Sequence, residues 1–390
     1  MNELSLLLKP ASGLCNMRCS YCFYREETAS QTCFEQNIMS SDVMELLCRR
    51  ACESAEKYLH IAFQGGEPTL AGVDFYRRFT ALIEAFAPRG LHIEYAFQTN
   101  GLLLDEEWME FFRKHHCLVG LSFDGMRQLH DQYRLDAAGK GTADRVQRAW
   151  KQLQDAKVDT NLLCVVTRRT AAKPERVYRY LKEMGAAYLQ FIPCMDFSAP
   201  VTGTSDPGAH SGTRENTWSL KGDEYAHFLK GLFDLWYRDW KNGSYVSIRQ
   251  FDDYIHLLCG ERPSACSACG ECGGYLVVEN DGSVYPCDFY VEDDWLLGSI
   301  KEASLEELSC GEDMRKFQER SCGREEACRK CRYYVPCRGG CRHDWTSGQG
   351  MAGGKNLFCE AYQEFFAYAL PRMQEIAEAE RRYRQAVRKR

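Results

Sequence analysis

Three cysteines stand close together near the start of the chain, at Cys15, Cys19 and Cys22. Thiolates at this spacing in one loop can face a single point. Structural zinc sites take four ligands and usually contain CxxC pairs, whereas a four-iron cluster held by three cysteines keeps one iron open for another molecule. The spacing therefore favours an open iron–sulfur cluster over three unrelated loop thiols.

A glycine turn with a carboxylate follows about one βα unit later, in the run from Gln64 to Pro68 that reads QGGEP. Gly65 and Gly66 would let the backbone approach a ligand, and Glu67 could accept hydrogen bonds from an ammonium group. Alone the signal is weak, because two glycines before a proline also make an ordinary turn.

A second group of cysteines lies in the C-terminal part of the chain. Its eight members are Cys266, Cys272, Cys287, Cys328, Cys331, Cys337, Cys341 and Cys359. Eight thiols can make two sites of four. On spacing alone, zinc ribbons remain an alternative to iron–sulfur clusters, because a CxxC pair with later cysteines describes both.

Length and charge restrict the class of protein. The 390 residues indicate two or three domains, and 49 basic against 55 acidic residues give a net charge of −6, which argues against a nucleic-acid binder. The sequence contains no apolar stretch long enough to cross a membrane, and its N-terminus lacks the features of a signal peptide. We therefore expect a cytoplasmic protein whose 21 cysteines stay reduced.

Apolar runs that predict strands alternate with amphipathic stretches over residues 1–195. Two of the helices are predicted to start after Val73 and after a cap at Ser41 and Asp42. This alternation predicts an α/β fold with a parallel barrel, closed or partial. The six strands are predicted at 4–8, 59–64, 92–98, 118–122, 161–166 and 188–192.

The pattern changes after residue 195. Residues 196–222 are rich in Gly, Pro, Ser and Thr without periodicity, which predicts a linker, a lid or a partner-binding loop. An amphipathic helix follows, and its aromatic stripe from Tyr225 to Trp240 is interpreted as core packing. The basic C-terminal tail is interpreted as a solvated, frayed helix end.

The order CxxxCxxC then GGEP resembles the radical S-adenosylmethionine (SAM) superfamily, and the C-terminal cysteines resemble its SPASM extension. Along nearly the whole chain the sequence is similar to the anaerobic sulfatase-maturating enzymes. The segments that carry this resemblance are LLLKPASGLCNMRCSYCFY, FQGGEPTLAG, QTNG, VGLSFDG, DGSVYPCDFY and CRGGCR.

The resemblance implies a partial (β/α)6 barrel over residues 1–195, a linker and helical connection over 196–259, a SPASM-type domain over 260–365 and a C-terminal helix with its tail over 366–390. It also implies three [4Fe-4S] clusters. The first is held by Cys15, Cys19 and Cys22 and binds SAM; one auxiliary cluster is held by Cys266, Cys272, Cys287 and Cys341, and the other by Cys328, Cys331, Cys337 and Cys359.

The resemblance further assigns single residues. Asp288 would accept a proton from the substrate, although from the residues alone an aspartate that caps a turn beside the cluster is the simpler interpretation. Ser122 and Arg134 would offer donors to the ribose and carboxylate of SAM. The full set of implied SAM contacts is Tyr21, Gln64, Gly65, Gly66, Glu67, Ser122, Arg134 and Met195.

The implied function is oxidation of a cysteine or serine in an unfolded sulfatase polypeptide to Cα-formylglycine. A 5′-deoxyadenosyl radical would abstract a Cβ hydrogen, and an auxiliary cluster would accept an electron. We expect a monomer that receives electrons from a flavodoxin- or ferredoxin-like donor and binds neither nucleic acid nor membrane. Two alternatives stay open: a SPASM-type maturase that forms a thioether or other crosslink in a ribosomal peptide, and a zinc-stabilised interaction protein.

Overall fold

The computed structural model describes residues 1–24, 37–195, 218–324, 326–345 and 354–388. The chain forms two compact units. The first contains residues 1–123, 130–162 and 272–319, and the second contains 124–129, 163–271 and 320–390. Most of the predicted linker, residues 196–217, lies outside the described residues.

The strands confirm all six predicted positions to within one or two residues at each end. They are β1 (Glu3–Lys9), β2 (Tyr58–Phe63), β3 (His92–Thr99), β4 (Leu118–Ser122), β5 (Thr160–Val166), β6 (Tyr188–Pro193), β7 (Ser247–Ile248), β8 (Leu276–Glu279), β9 (Ser283–Tyr285) and β10 (Gly298–Ser299).

The helices connect and cover these strands. They are α1 (Ser41–Ser54), α2 (Val73–Phe86), α3 (Glu106–Lys114), α4 (Arg127–Tyr133), α5 (Ala143–Asp155), α6 (Arg168–Ala171), α7 (Pro174–Glu183), α8 (Gly222–Lys241), α9 (Arg249–Cys259), α10 (Cys266–Cys269), α11 (Leu305–Cys310), α12 (Glu312–Cys322), α13 (Glu326–Arg329), α14 (Tyr334–Cys337) and α15 (Cys359–Arg388). None of the helices in the described ranges is long and apolar enough to span a bilayer.

The sheet of the first unit has β1 at its centre. Its strands follow the order β10-β9-β8-β1-β2-β3-β4, and β1 pairs in parallel with both β2 and β8. Leu4, Leu6 and Leu8 alternate along β1 and are all buried. Because period-2 alternation directs these side chains to one face, β1 becomes a core strand. Its carboxyl end leads into the loop that carries Cys15, Cys19 and Cys22, which we call the cysteine loop.

Helix α1 packs beside α2 in the first unit and shows one correction to the sequence prediction. The predicted cap was Ser41 with Asp42, but the capping residue is Ser40, whose side chain accepts a hydrogen bond from the Val43 backbone N–H. Ser41 is already helical. A run of two serines leaves the cap ambiguous by one residue, and the N–H that the hydroxyl reaches decides it.

The second unit packs α8, α9 and α15 around an aromatic core. Phe233 of α8 and Phe251 of α9 lie 5.8 Å and 5.7 Å from the ring of Phe365 on α15. The stripe from Tyr225 to Trp236 is therefore core packing as predicted, whereas Trp240 is only half-buried. The C-terminal helix begins at Cys359, seven residues before the predicted start.

Candidate active site

The cysteine loop follows β1 and is fixed by backbone hydrogen bonds. The N–H groups of Arg18 and Ser20 donate to carbonyls of residues 135 and 133, at 2.7 Å and 3.0 Å. Met17 forms an isolated bridge with Asp136, and its N–H donates to the Cys15 Sγ at 3.4 Å. These bonds give a segment without regular secondary structure a defined conformation.

The three thiols of this loop lie close enough to influence one another. Burial of the thiol, with smaller contributions from the nearby charges of Glu67, Cys19 and Cys22, raises the pKa of Cys15 to about 12. Binding of a cation would favour the thiolate form of such a thiol, which is the chemistry that an iron–sulfur cluster supplies. Three thiols are the donor set that the implied cluster requires, and the role of Cys15, Cys19 and Cys22 as its ligands stays a prediction.

The glycine turn after β2 packs directly onto the base of the cysteine loop. The Gly66 N–H donates to the Ser12 carbonyl, and the Glu67 N–H donates to the Leu14 carbonyl, both at 2.7 Å. A Cβ at Gly66 would lie 2.1 Å from the Leu14 carbonyl oxygen, and Gly65 has a φ of +113°. Both positions thus require glycine for contact between two backbones, and their contact with SAM stays a prediction.

Glu67 is buried and receives four protein donors. The Thr69 N–H and hydroxyl and the Thr99 hydroxyl donate to Oε1, whereas the Asn100 N–H donates to Oε2 at 2.7 Å. Burial raises the pKa of Glu67, and these hydrogen bonds oppose the rise. The Asn100 side chain lies 3.9 Å from the Cys15 Sγ. Glu67 thereby holds the end of β3 beside the cysteine loop. Oε2 accepts one hydrogen bond where Oε1 accepts three, and its contact with the ammonium group of SAM stays a prediction.

Tyr21 and Arg134 lie together in the first unit. The Arg134 guanidinium lies 5.5 Å from the centre of the Tyr21 ring, and the centres of the Tyr21 and Tyr133 rings are 6.0 Å apart. Arg134 is buried, as is Ser122 at the end of β4. Met195, the remaining predicted SAM contact, belongs to the second unit. The SAM contacts of all these residues stay predictions.

Asp288 follows β9 and Cys287, and its carboxylate contacts the last residue of β1, the residue directly after β2 and a tyrosine just beyond Cys22. Oδ2 accepts hydrogen bonds from the Tyr24 hydroxyl at 2.5 Å and from the Gln64 side chain at 2.8 Å. Oδ1 lies 2.9 Å from the Lys9 Nζ. The carboxylate is 4% exposed, so these contacts replace nearly all of its hydration.

Sequence reasoning missed Lys9 and Tyr24. Lys9 is a charged residue that directly follows the apolar run of three leucines in β1, and Tyr24 follows the last cysteine of the loop within CFY. A lysine at the buried end of a core strand is a signal that could have been noticed, since buried charges are almost always paired. Tyr24 carried no comparable signal.

The second auxiliary set lies within the second unit. Burial, with smaller contributions from the like charges of Cys359, Cys328 and Cys331, raises the pKa of Cys337 to about 11. The Tyr333 N–H donates to the Cys331 Sγ at 3.5 Å. The other three predicted thiols are thus near enough for their charge to act on Cys337, and thiols are the ligands that an iron–sulfur cluster takes. Their role as cluster ligands stays a prediction.

The four cysteines predicted to hold the other auxiliary cluster are divided between the units. Cys272 and Cys287 belong to the first unit, whereas Cys266 and Cys341 belong to the second. The Tyr275 hydroxyl lies 3.5 Å from the Cys287 Sγ. This ligand set stays a prediction.

Two family models match the chain. Residues 10–181 match the radical SAM superfamily, and residues 266–332 match an iron–sulfur cluster-binding domain known as SPASM. These ranges contain the first cysteine set and most of the second group. The matches confirm the predicted fold class, and they give the zinc-stabilised alternative no support.

Similar proteins extend the match to nearly the full length. A cysteine-type anaerobic sulfatase-maturating enzyme from Clostridium perfringens is 41% identical over 97% of this chain and 99% of its own. A serine-type enzyme from Klebsiella aerogenes is 32% identical over 93% of this chain and 84% of its own. The solved structure of native anSMEcpe with bound AdoMet and Kp18Cys peptide is 40% identical, with a TM-score of 0.88 over 97% of this chain and 99% of that one.

Proposed function

The chain belongs to the anaerobic sulfatase-maturating enzymes of the radical SAM superfamily, and from that premise we propose that it oxidises a cysteine of an unfolded sulfatase polypeptide to Cα-formylglycine. The preference for cysteine over serine is supported by the higher identity to the cysteine-type enzyme, 41% against 32%. It is also supported by the likeness to a structure that contains a Cys peptide.

The reaction requires three things to leave the substrate side chain: a hydrogen atom from Cβ, the thiol proton and one electron. SAM and the iron–sulfur clusters supply the radical and the electron acceptor when they are bound. We infer three clusters, on Cys15, Cys19 and Cys22 and on the two auxiliary sets of four. The protein's own residues must handle the proton and hold the peptide.

Asp288 is the residue that we assign to the proton. The observation that carries the assignment is the buried carboxylate with Tyr24 and Gln64 on one oxygen and Lys9 on the other. A base must lie within hydrogen-bond reach of the proton that it removes. In our proposal the substrate thiol takes the place of one of the two neutral donors at Oδ2, and its proton passes to that oxygen. The thioaldehyde left on the peptide is then hydrolysed to the aldehyde.

The substrate is an extended polypeptide, because a folded sulfatase would bury the residue to be modified. We further infer that the enzyme works in the cytoplasm as a monomer. Its electrons would come from a reduced flavodoxin- or ferredoxin-like protein. The cysteine-rich sequence supports a reducing compartment.

Anaerobic turnover of three peptides that differ only in carrying Cys, Ser or Ala at one position tests the proposal. We expect the Cys peptide to lose sulfur and two hydrogens and to gain one oxygen, with release of 5′-deoxyadenosine. Retention of sulfur with loss of only two hydrogens would instead support a crosslinking maturase. An unchanged Cys peptide under conditions of continuing SAM cleavage would contradict the proposal.

A further inference from the structure

Lys9 occupies an unusual position for a lysine. It ends β1, where it is 1% exposed, and the parallel register sets it opposite Glu279 at the end of β8. Glu279 is 2% exposed and Asp288 is 4% exposed. Three charged side chains are thus buried together within the first unit, outside any role that the sequence motifs assign to Lys9 or Glu279.

The Lys9 ammonium lies between the two carboxylates. Its Nζ is 2.9 Å from the Asp288 Oδ1, 3.4 Å from the Glu279 Oε1 and 4.8 Å from the centre of the Tyr24 ring. Lys9 therefore contacts both the carboxylate and one of the two donors that hold its other oxygen. A buried cation is tolerated only where such partners surround it.

The two oxygens of Asp288 have different partners. Oδ1 is fully buried and faces the fixed charge of Lys9, whereas Oδ2 accepts hydrogen bonds from the neutral Tyr24 and Gln64. A neutral donor can be replaced by a substrate group at lower cost than a buried cation can, because removing the cation would leave charges uncompensated. The arrangement fixes one oxygen and leaves the other for exchange.

We propose that Lys9 is a positioning residue that holds the Asp288 carboxylate with Oδ2 directed to the substrate, and that Glu279 in turn fixes Lys9. This inference rests on the proposed function, in which Asp288 receives the substrate proton. Lys9 acts through Asp288 and does not touch the substrate. Its place on β1 links the proton acceptor to the strand that leads into the cysteine loop.

A double-mutant cycle tests this inference with the reconstituted enzyme and a Cys peptide. Lys9→Met removes the charge and keeps the length of the side chain. We expect this variant to retain its iron, its peptide affinity and SAM cleavage, while formylglycine formed per 5′-deoxyadenosine falls by about 10²-fold, the loss that a misplacement of about 1 Å can cause. A crystal structure of the variant should show the Asp288 carboxylate rotated from its present position.

The decisive variant combines Lys9→Met with Asp288→Asn. If Lys9 acts through Asp288, the double variant should be no worse than Asp288→Asn alone, because residues that act as a unit are not additive. A further large loss in the double variant would overturn the inference. Normal product formation by Lys9→Met, together with impaired product formation by Asp288→Asn, would also overturn it. A Lys9→Met enzyme that loses SAM cleavage and product to the same extent would overturn it as well.

Two further variants separate a loss of positioning from a general loss of folding. Lys57→Met makes the same substitution at an exposed lysine of the same unit and should leave every readout unchanged. If Lys9→Met is insoluble, the double variant Lys9→Met with Glu279→Gln removes both charges of the buried pair. The formylglycine formed per 5′-deoxyadenosine by this double variant then tests the inference. Full product formation by Asp288→Asn would instead refute the role of Asp288 in the proposed function.

Discussion

At the scale of single residues, the proposed oxidation requires Asp288 as a base. Asp288→Asn preserves the shape of the side chain and removes its capacity to take a proton. We expect retained iron and SAM cleavage, with formylglycine formation lower by about 10²-fold or more. The iron content reports cluster assembly, the amount of 5′-deoxyadenosine reports SAM cleavage, and the mass of the peptide reports formylglycine formation. Asp294→Asn, at an exposed position of the same segment, is the matched control; iron loss confined to Asp288→Asn would point to a structural role.

The residues of this site could be predicted only in part from the sequence. The cysteine spacing and the resemblance around Cys287 indicated the thiols and Asp288, whose roles stay predictions. Lys9 and Tyr24 reach Asp288 across sequence separations of more than 260 residues, through the pairing of β1 with β8. A contact of this kind depends on strand register in three dimensions, and no local pattern in the chain encodes it.

At the scale of elements, the contact between the glycine turn and the cysteine loop gives a second prediction. Gly66→Ala places a methyl group 2.1 Å from the Leu14 carbonyl oxygen, so the turn and the loop must separate. We expect a loss of about 1–3 kcal/mol in the free energy of unfolding. Because the loop carries Cys15, we also expect loss of iron from the first cluster and of SAM cleavage.

The control for this variant is Gly222→Ala, where an added Cβ meets no atom within 4 Å. It should match the unaltered protein in iron content and urea denaturation. A Gly66→Ala enzyme with full iron and normal SAM cleavage would show that the close approach of the two backbones is dispensable.

The strands were predicted well because alternating apolar residues report burial directly. The ends of elements were predicted less well. The predicted second strand included Gln64, but β2 ends at Phe63 because the chain turns there into the glycine segment. Helix α15 starts at Cys359, where the Asn356 side chain accepts a hydrogen bond from the Phe358 N–H, and this local bond was not visible as a periodic signal.

At the scale of the whole molecule, the two compact units are built from interleaved segments, whereas the sequence suggested consecutive domains. Residues 272–319 join the first unit because β8 pairs with the edge of β1 that β2 leaves free. The sequence predicted the strands of the N-terminal half but gave no signal for a partner on that edge. This pairing is what brings Asp288 to Lys9 and Gln64.

The cluster content of the molecule gives a third prediction. Three [4Fe-4S] clusters require about twelve irons per chain after anaerobic reconstitution. Changing Cys15, Cys19 and Cys22 together to alanine should leave about eight irons and abolish SAM cleavage, since only this set keeps an open iron. Changing the buried Cys48, Cys52 and Cys117 to alanine instead should leave the iron content unchanged. Continued release of 5′-deoxyadenosine by the first triple variant would locate SAM cleavage elsewhere.

The most direct test of the central claim is the fate of the Cβ hydrogen. A sulfatase-type peptide with both Cβ hydrogens of its cysteine replaced by deuterium is incubated anaerobically with the reconstituted enzyme, SAM and a reductant. Because the radical takes its hydrogen from Cβ, we expect one deuterium in each 5′-deoxyadenosine and one formylglycine for each deoxyadenosine released. Formylglycine accompanied by unlabelled 5′-deoxyadenosine, or deuterium transfer with the sulfur retained in the peptide, would contradict the central claim.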